Sequence, residues 1–579
     1  MHLFSIEVLE PEIVNRAKAK KDAIGLSTIG VDAQPQGKGE TTPSPSRWKT
    51  PEFYLYYAAH AVVVPMMFKC AYDLSKDTHP SYPQYENLLE PGWIPGRKVD
   101  NSDVQYSDFR DRIPILFSVL VGYTALRRLY DRTYNLSTLS QSIRARRRVL
   151  FDVGFALVFI TALHGFSAVK ILLLLGINYG IAKTFKGSIS NPVLTWAFNI
   201  IVLFLNERYS GYRFRDVHES GALLDAYPGL LSRWQVHFNI TVLRLISFNM
   251  DYYWSFSKGP SLAARLKKDK ANADTLTERE RIEAPCERED YGWLNYLGYT
   301  LYAPLYLAGP IITFNNYMSQ IHLRPPTISP RRTLLYAIRL LISILTMEFL
   351  LHNLYVVAIA KSHAWSGLTP FQLSMVSYWN LKIVWLKLLI PWRFFRLWAM
   401  WDGIETSENV LRCMSNTYSV KTFWRAWHRS FNRWIVRYIY VPLGGSRLPI
   451  VNTLAVFTFV ALWHDISLRL LAWGWLVTLF ILPELIATAI FSPEKWGSWP
   501  WYRHLCALGG VFNMLMMVCA NLVGFVIGLD GLKEMLVGIF GSLYGLAFLV
   551  TTVACLSCAV QIMFETREDE QRRGIFLRC

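Results

Sequence analysis

The sequence predicts an all-α polytopic membrane protein, on three observations. The 579-residue chain is 52% hydrophobic and 15% aromatic, with a mean hydropathy of +0.21. Only 18% of it is charged, where soluble domains hold about a quarter. Apolar runs of roughly 17–25 residues, enough to cross a bilayer, recur along it. They lie near residues 52–72, 113–130, 149–165, 168–185, 191–207, 291–314, 333–360, 373–400, 452–491, 505–528 and 535–563. The run at 452–491 reads as two spans broken near Pro483. The expected count is about 11–12 membrane segments, re-entrant pieces included.

Taken in order, residues 1–50 are polar and carry the tract QPQGKGETTPSPS, which suits a disordered tail. They contain no apolar h-region, so the first span is expected to act as the targeting signal. Residues 51–567 form the membrane domain, and residues 568–579 a short charged tail. The net charge of +17 suits cytosolic loops and anionic headgroups. No nucleic-acid module accompanies it, so nucleic acid is set aside as a partner. SIRARRRVL, residues 142–150, marks a cytosolic flank. Residues 234–256 read as a helix lying in the interface, and residues 257–290, dense in both charge signs, as a solvated loop. The sequons at Asn135 and Asn239 sit in unsuitable contexts and read as chance matches. Eight cysteines, several within apolar runs, argue against a disulfide framework. Cys555 and Cys558 read as buried thiols.

FWRAWHRSFNRWIVRYIYVPLGGSR, residues 423–447, departs from the apolar pattern. At about 100° per residue, a helix over 423–440 gathers Trp424, Trp427, Phe431, Trp434 and Tyr438 on one face. Arg425, Arg429, Arg433 and Arg437 form a stripe on the other, with His428 and Asn432 on the seam. One reading is an interfacial anchor, with tryptophans at headgroup depth and snorkelling arginines. The other has the arginines bind phosphates, which the planar guanidinium meets bidentately, while the polar pair faces a reaction chamber. Pro442 and Gly444-Gly445 then end the helix in a tight turn.

A second histidine, His464, lies in the apolar stretch NTLAVFTFVALWHDISLRLLAWGWLV, residues 452–477. Asp465 can pair with Arg469 four residues on. Intramembrane ionisable groups are costly and usually functional; a structural histidine bonded to a neighbouring helix is the alternative. Imidazole, with an ordinary pKa near ~6.5, is suited to general-base work.

These blocks resemble the signatures of membrane-bound O-acyltransferases. The FWRAWH…YVPLGG run is similar to the family's FWRRWH…YIPLGG block, LWHD…WGW resembles the motif holding its near-invariant histidine, and YLGYTLYAPLYLAGPIITFNNY, residues 296–317, matches a third block. The motif region covers about residues 290–480. WHD, the RCMSNTYSVKTFWRAWHRSFNRW run and the long N-terminal tail resemble the fungal glycerol-uptake-protein branch, related to Hedgehog acyltransferase. The resemblance implies a ring of tilted helices around a tunnel, entered by acyl-CoA from the cytosol and by the acceptor from the other side.

It further implies a multi-pass enzyme of the endoplasmic reticulum membrane that remodels glycosylphosphatidylinositol (GPI) anchors. Acyl-CoA is the co-substrate, and partners are a lyso-GPI lipid or GPI-anchored proteins and membrane lipids. His464 becomes the catalytic base and His428 or Asn432 the donor to the oxyanion. Arg425, Arg429, Arg433, Arg437, Trp424 and Trp427 become the substrate-binding set. No metal is required. Cys413 matches a haem-ligating cysteine of Hedgehog acyltransferase, although chemistry alone makes it an ordinary thiol. Asp465 replaces the usual glycine, and Hedgehog acyltransferase has aspartate at the position of His428. The alternatives are a glycerol/proton symporter, for which Glu348 and Glu484 are the intramembrane carboxylates, a protein acyltransferase acting on a secreted protein, and a silent scaffold. The paired repeats typical of transporters are missing from the sequence.

Overall fold

The computed structural model describes residues 6–11, 45–216, 218–257, 276–464, 466, 468–575 and 577, apart from the side chains of Ile6, Glu7, Arg469 and Ala472. Helices dominate, and the strands among the described residues form one two-stranded hairpin, Glu90–Pro91 against Lys98–Val99. The helices used below are α1 (Ile6–Leu9), α2 (Pro51–Leu74), α3 (Val104–Thr133), α4 (Gln141–His164), α5 (Ser167–Phe185), α6 (Ser190–Arg208) and α7 (Trp234–Trp254). They continue with α8 (Glu278–Glu283), α9 (Trp293–Thr300), α10 (Ala303–Tyr306), α11 (Phe314–His322), α12 (Pro330–Asn353), α13 (Val356–Lys361) and α14 (Pro370–Trp401). The last are α15 (Val420–Ala426), α16 (Arg429–Ile435), α17 (Pro449–His464), α18 (Leu468–Ile490), α19 (Tyr502–Phe525), α20 (Gly528–Phe540) and α21 (Leu543–Arg572).

Seven helices among the described residues are long and apolar enough to cross a membrane, fewer than the expected 11–12 segments. The chain is a multi-pass all-α membrane protein. The shortfall has identifiable causes. The run at 291–314 is not one span: it divides into α9 and α10, with Pro304 opening the second, and Gly309-Pro310 precede α11. The run at 535–563 divides at Gly541-Ser542 between α20 and α21. The run at 452–491 breaks after His464 and not near Pro483, which lies inside α18. Proline is tolerated within membrane helices, and α17 ends at His464. Asp465 and the side chain of Arg469, the expected ion pair, lie outside the described residues.

Helix α7 overturns the interfacial reading of residues 234–256. Val242 to Ile246 are all at most 1% exposed, so this helix is central to the core. Its polar residues find partners inside. Arg244 donates to the carbonyls of Tyr299, Thr300 and Leu305, and Asn249 bonds Asn178 and Thr195. A helix apolar or internally satisfied all round belongs in an interior.

The expectation of a disordered tail over residues 1–50 also needs revision where the structure describes it. Val8 and Leu9 are buried, and their carbonyls accept from Arg332 and Arg396. Residues 12–44 lie outside the described residues. Part of the loop expected at 257–290 is tied down as well: α8 carries a capping box on Thr277 and Glu280, and Arg281 is buried against Asn316.

Candidate functional site

The helix predicted over 423–440 is broken into three. Helix α15 ends at Ala426, α16 begins at Arg429, and a π-helix runs from Val436 to Tyr440. The break falls at His428, whose φ of +46° is left-handed. Gly444 and Gly445, at φ +101° and +59°, make the expected turn beyond. Ser419 caps α15, and Glu484 of α18 reinforces that end. The Glu484 carboxylate accepts from Ser419 Oγ at 2.5 Å and from the backbone N–H of Val420 at 2.8 Å. The start of α16 is held by Asn409, which accepts from the N–H of Arg429 at its carbonyl (3.1 Å) and from the N–H of Ser430 at its side chain (3.2 Å).

This break re-aims both faces. The aromatic face meets protein and not lipid: Phe431, Trp434 and Tyr438 are buried, and Trp424 packs against Phe457 and Trp473, centroids 5.8 and 5.4 Å away. Trp427 stacks on Phe423 at 5.5 Å and meets Trp392 edge-on at 5.9 Å. Three arginines of the stripe carry carboxylate partners. Arg429 pairs with Glu10 at 2.7 Å, Arg433 pairs with Glu278 and donates to Ser407, and Arg437 pairs with Asp251 at 2.7 Å. Arg425 is exposed and makes no ion pair among the described residues. Burial would raise the Glu278 carboxyl, but the neighbouring Arg433 and Arg429 and the Ser407 hydroxyl bring it down to about 2.

His428 stacks on Trp392 with centroids 4.5 Å apart and lies 6.5 Å from Trp463. His464 lies 4.7 Å from the same Trp463 indole. Both histidines therefore lie near one tryptophan, although 423–447 and 452–477 are separate motifs. His464, at the end of α17, is exposed. Trp463 is anchored from both ends. Its Nε1 donates to the Asn239 carbonyl at 2.8 Å, and Asn239 Nδ2 donates to the Trp463 carbonyl at 3.0 Å. Asn432, one turn beyond His428, is half-buried, and its N–H donates to the His428 carbonyl at 3.0 Å.

A groove of about 380 Å³ between α6 and α17 is lined by apolar residues including Phe204, Leu454, Leu462 and Ile466, and reaches the residues flanking His464. Cys413 is exposed and accepts from the Lys382 ammonium at 3.4 Å. Among the described residues no three His, Cys, Asp or Glu side chains gather as metal ligands.

The histidines and the motifs around them fall inside residues 213–529, which match the sequence profile of the membrane-bound O-acyltransferase family. The chain belongs to that family. It is 45% identical to membrane-bound O-acyltransferase GUP1 of Saccharomyces cerevisiae, covering 96% of this chain and 98% of the relative. It is 44% identical to membrane-bound O-acyltransferase gup1 of Schizosaccharomyces pombe over the full length of both. A more distant similarity, 29% over 32% of this chain and 38% of the relative, links it to mouse protein-cysteine N-palmitoyltransferase HHAT. As a family member it is a membrane-bound acyltransferase.

Both histidines stand out in the sequence, but the groups that hold them do not. The reciprocal Asn239–Trp463 contact, Trp392 under His428, and the acids Glu10, Asp251 and Glu278 all come from elsewhere in the chain. Asp251 carries the one readable signal, a lone acid in the otherwise apolar FNMDYYW.

Proposed function

We propose that this membrane-bound O-acyltransferase transfers a long acyl chain from acyl-CoA to the free hydroxyl of a lyso-lipid in GPI-anchor remodelling at the endoplasmic reticulum. The observation that supports the reading is that both imidazoles lie near the one Trp463 indole, with centroids 6.5 and 4.7 Å away. His464 takes the proton from the acceptor hydroxyl as its oxygen attacks the thioester carbonyl. The C–O bond forms, negative charge collects on the carbonyl oxygen, and His428 or Asn432 donates to it. The C–S bond then breaks, and the proton held at His464 passes to the departing thiolate. The apolar groove beside α17 suits an alkyl chain. Arg425, Arg429 and Arg433 are assigned to the phosphates of the CoA moiety, whereas Arg437 serves Asp251.

The symporter alternative loses support from its own candidate carboxylates. Glu348 is held by Arg110 through two bonds of 2.7 and 2.8 Å and by Trp93 Nε1 at 2.9 Å, and Glu484 caps α15. Neither is available to load and release a proton without dismantling those contacts.

Mass spectrometry of anchor lipids tests the proposal in cells lacking this gene, rescued with wild type or with His464→Ala. The expected result is accumulated lyso-anchors cured by wild type alone, with the transfer rate of His464→Ala lower by at least ~10²-fold. Full rescue by a properly inserted His464→Ala protein removes the base assignment. Replacing Arg429 and Arg433 by glutamine is expected to raise the apparent KM for acyl-CoA; an unchanged KM returns the arginines to anchoring.

A further inference from the structure

The amino-terminal segment is bound as a ligand would be. Residues 8–10 lie in a socket of arginines from α12, α14 and α16. Arg332 Nε donates to the Val8 carbonyl at 2.9 Å, and Arg396 Nη2 to the Leu9 carbonyl at 2.7 Å. The Glu10 carboxylate accepts from the N–H of Glu408 at 2.6 Å and pairs with Arg429 at 2.7 Å. Within this group Arg332, Arg393, Arg396 and Arg429 meet Glu405, Glu408 and Glu10. Glu405 and Glu408 are fixed beside α14 in the connector to α15, whereas Glu10 arrives on a four-residue helix from the other end of the sequence.

Withdrawing Glu10 leaves Arg332, Arg393, Arg396 and Arg429 against Glu405 and Glu408, with Glu278 beside Arg429, so the socket keeps an excess of positive charge that suits a phosphate. The Arg429–Glu10 contact also lacks an aligned N–H bond: Arg429 Nη1 is close to the carboxylate but has no hydrogen-bond partner. A guanidinium paired by charge but not saturated by hydrogen bonds can exchange one anion for another.

We propose that Glu10 is a built-in competitor for the phosphate-bearing donor at Arg429, so that residues 8–10 set the apparent affinity for acyl-CoA. This rests on the assignment of Arg429 to CoA phosphates. A ligand that binds only the fraction of molecules with the socket open has its apparent dissociation constant raised by the reciprocal of that fraction. Removing the competitor's charge therefore lowers KM and leaves the chemical step alone.

The test compares full-length wild type, Glu10→Gln, Arg429→Gln and the double variant in nanodiscs, with palmitoyl-CoA as donor and thermal unfolding measured in parallel. The glutamine of Glu10→Gln keeps an oxygen for the Glu408 N–H and loses only the charge. The expected result is a KM roughly tenfold lower for Glu10→Gln, as for a socket about nine-tenths closed, with kcat unchanged. Arg429→Gln raises KM, and the double variant resembles Arg429→Gln alone. An unchanged or raised KM in Glu10→Gln, with a lowered unfolding temperature, makes Glu10 a structural staple and overturns the proposal while Arg429 keeps its role. An unchanged KM in Arg429→Gln defeats the phosphate assignment itself, and the competitor reading with it.

Discussion

The contact between Asn239 and Trp463 gives a quantitative handle on how His464 is held. Two hydrogen bonds run in opposite directions between α7 and the last turn of α17, at 3.0 and 2.8 Å. Asn239→Ala removes the first and Trp463→Phe the second, while a phenyl ring retains much of the packing against Phe431, 4.5 Å away. Interhelical hydrogen bonds within membrane proteins are worth about 0.6 kcal/mol on average and at most about 1.7. Each single variant should therefore lose about 0.6–1.7 kcal/mol of stability. The catalytic effect should be larger, because a displacement of about 1 Å at a reacting group can cost ~10²-fold in rate. We expect kcat to fall about 10- to 100-fold in either variant, with the KM for acyl-CoA unchanged. The double variant should fall little further, because either loss already frees the turn. The assay is steady-state acyl transfer in nanodiscs alongside urea-induced unfolding. Variants that lose stability with kcat intact, or whose kcat losses multiply in the double, would refute the idea that this contact positions His464.

Three further outcomes follow from the ion pairs and the cap. Glu278 has its carboxyl depressed to about 2 in the folded protein, so its contribution is fully present above an unfolded-state value near ~4.5. That contribution disappears as pH falls from about 4.5 to 2; the stability gap between wild type and Glu278→Gln should be flat above pH 5 and close below it. Arg437→Gln leaves the buried Asp251 without its ion partner and should cost roughly 3–5 kcal/mol, read as a lowered unfolding temperature with KM unaltered. Glu484→Leu strips the carboxylate from the first turn of α15 and exposes two buried donors, at about 1–3 kcal/mol. Liposomes carrying that variant should show no change in glycerol flux, which a symporter using Glu484 would lose.

What was legible in the sequence follows from what is local. Helices such as α2, α5, α14 and α19 coincide with their apolar runs because hydrophobic length is written residue by residue. The histidines were legible because ionisable groups stand out in apolar surroundings. The break at His428 was not: neither glycine nor proline marks it, and it is stabilised by Asn409 and Trp392 from other elements. The ion pairs of the arginine stripe are illegible for the same reason. Its partners Glu10, Asp251 and Glu278 lie at least 155 positions away along the chain, and charge pairing at that separation leaves no periodic trace. Helix α7 was misread because its polar residues suggest water until the neighbours that satisfy them are known.

The positive φ at His428 changes what a familiar experiment reports. An alanine there deletes the imidazole and keeps a β-carbon, as histidine does, but lacks the polar side chain that makes histidine one of the residues most tolerant of a positive φ, so lost turnover would mix missing chemistry with a less well supported bend before Arg429. Asparagine tolerates that geometry and glycine adopts it freely. The substitutions His428→Asn and His428→Gly, rather than His428→Ala, would separate the ring's contribution from that of the bend it sits on.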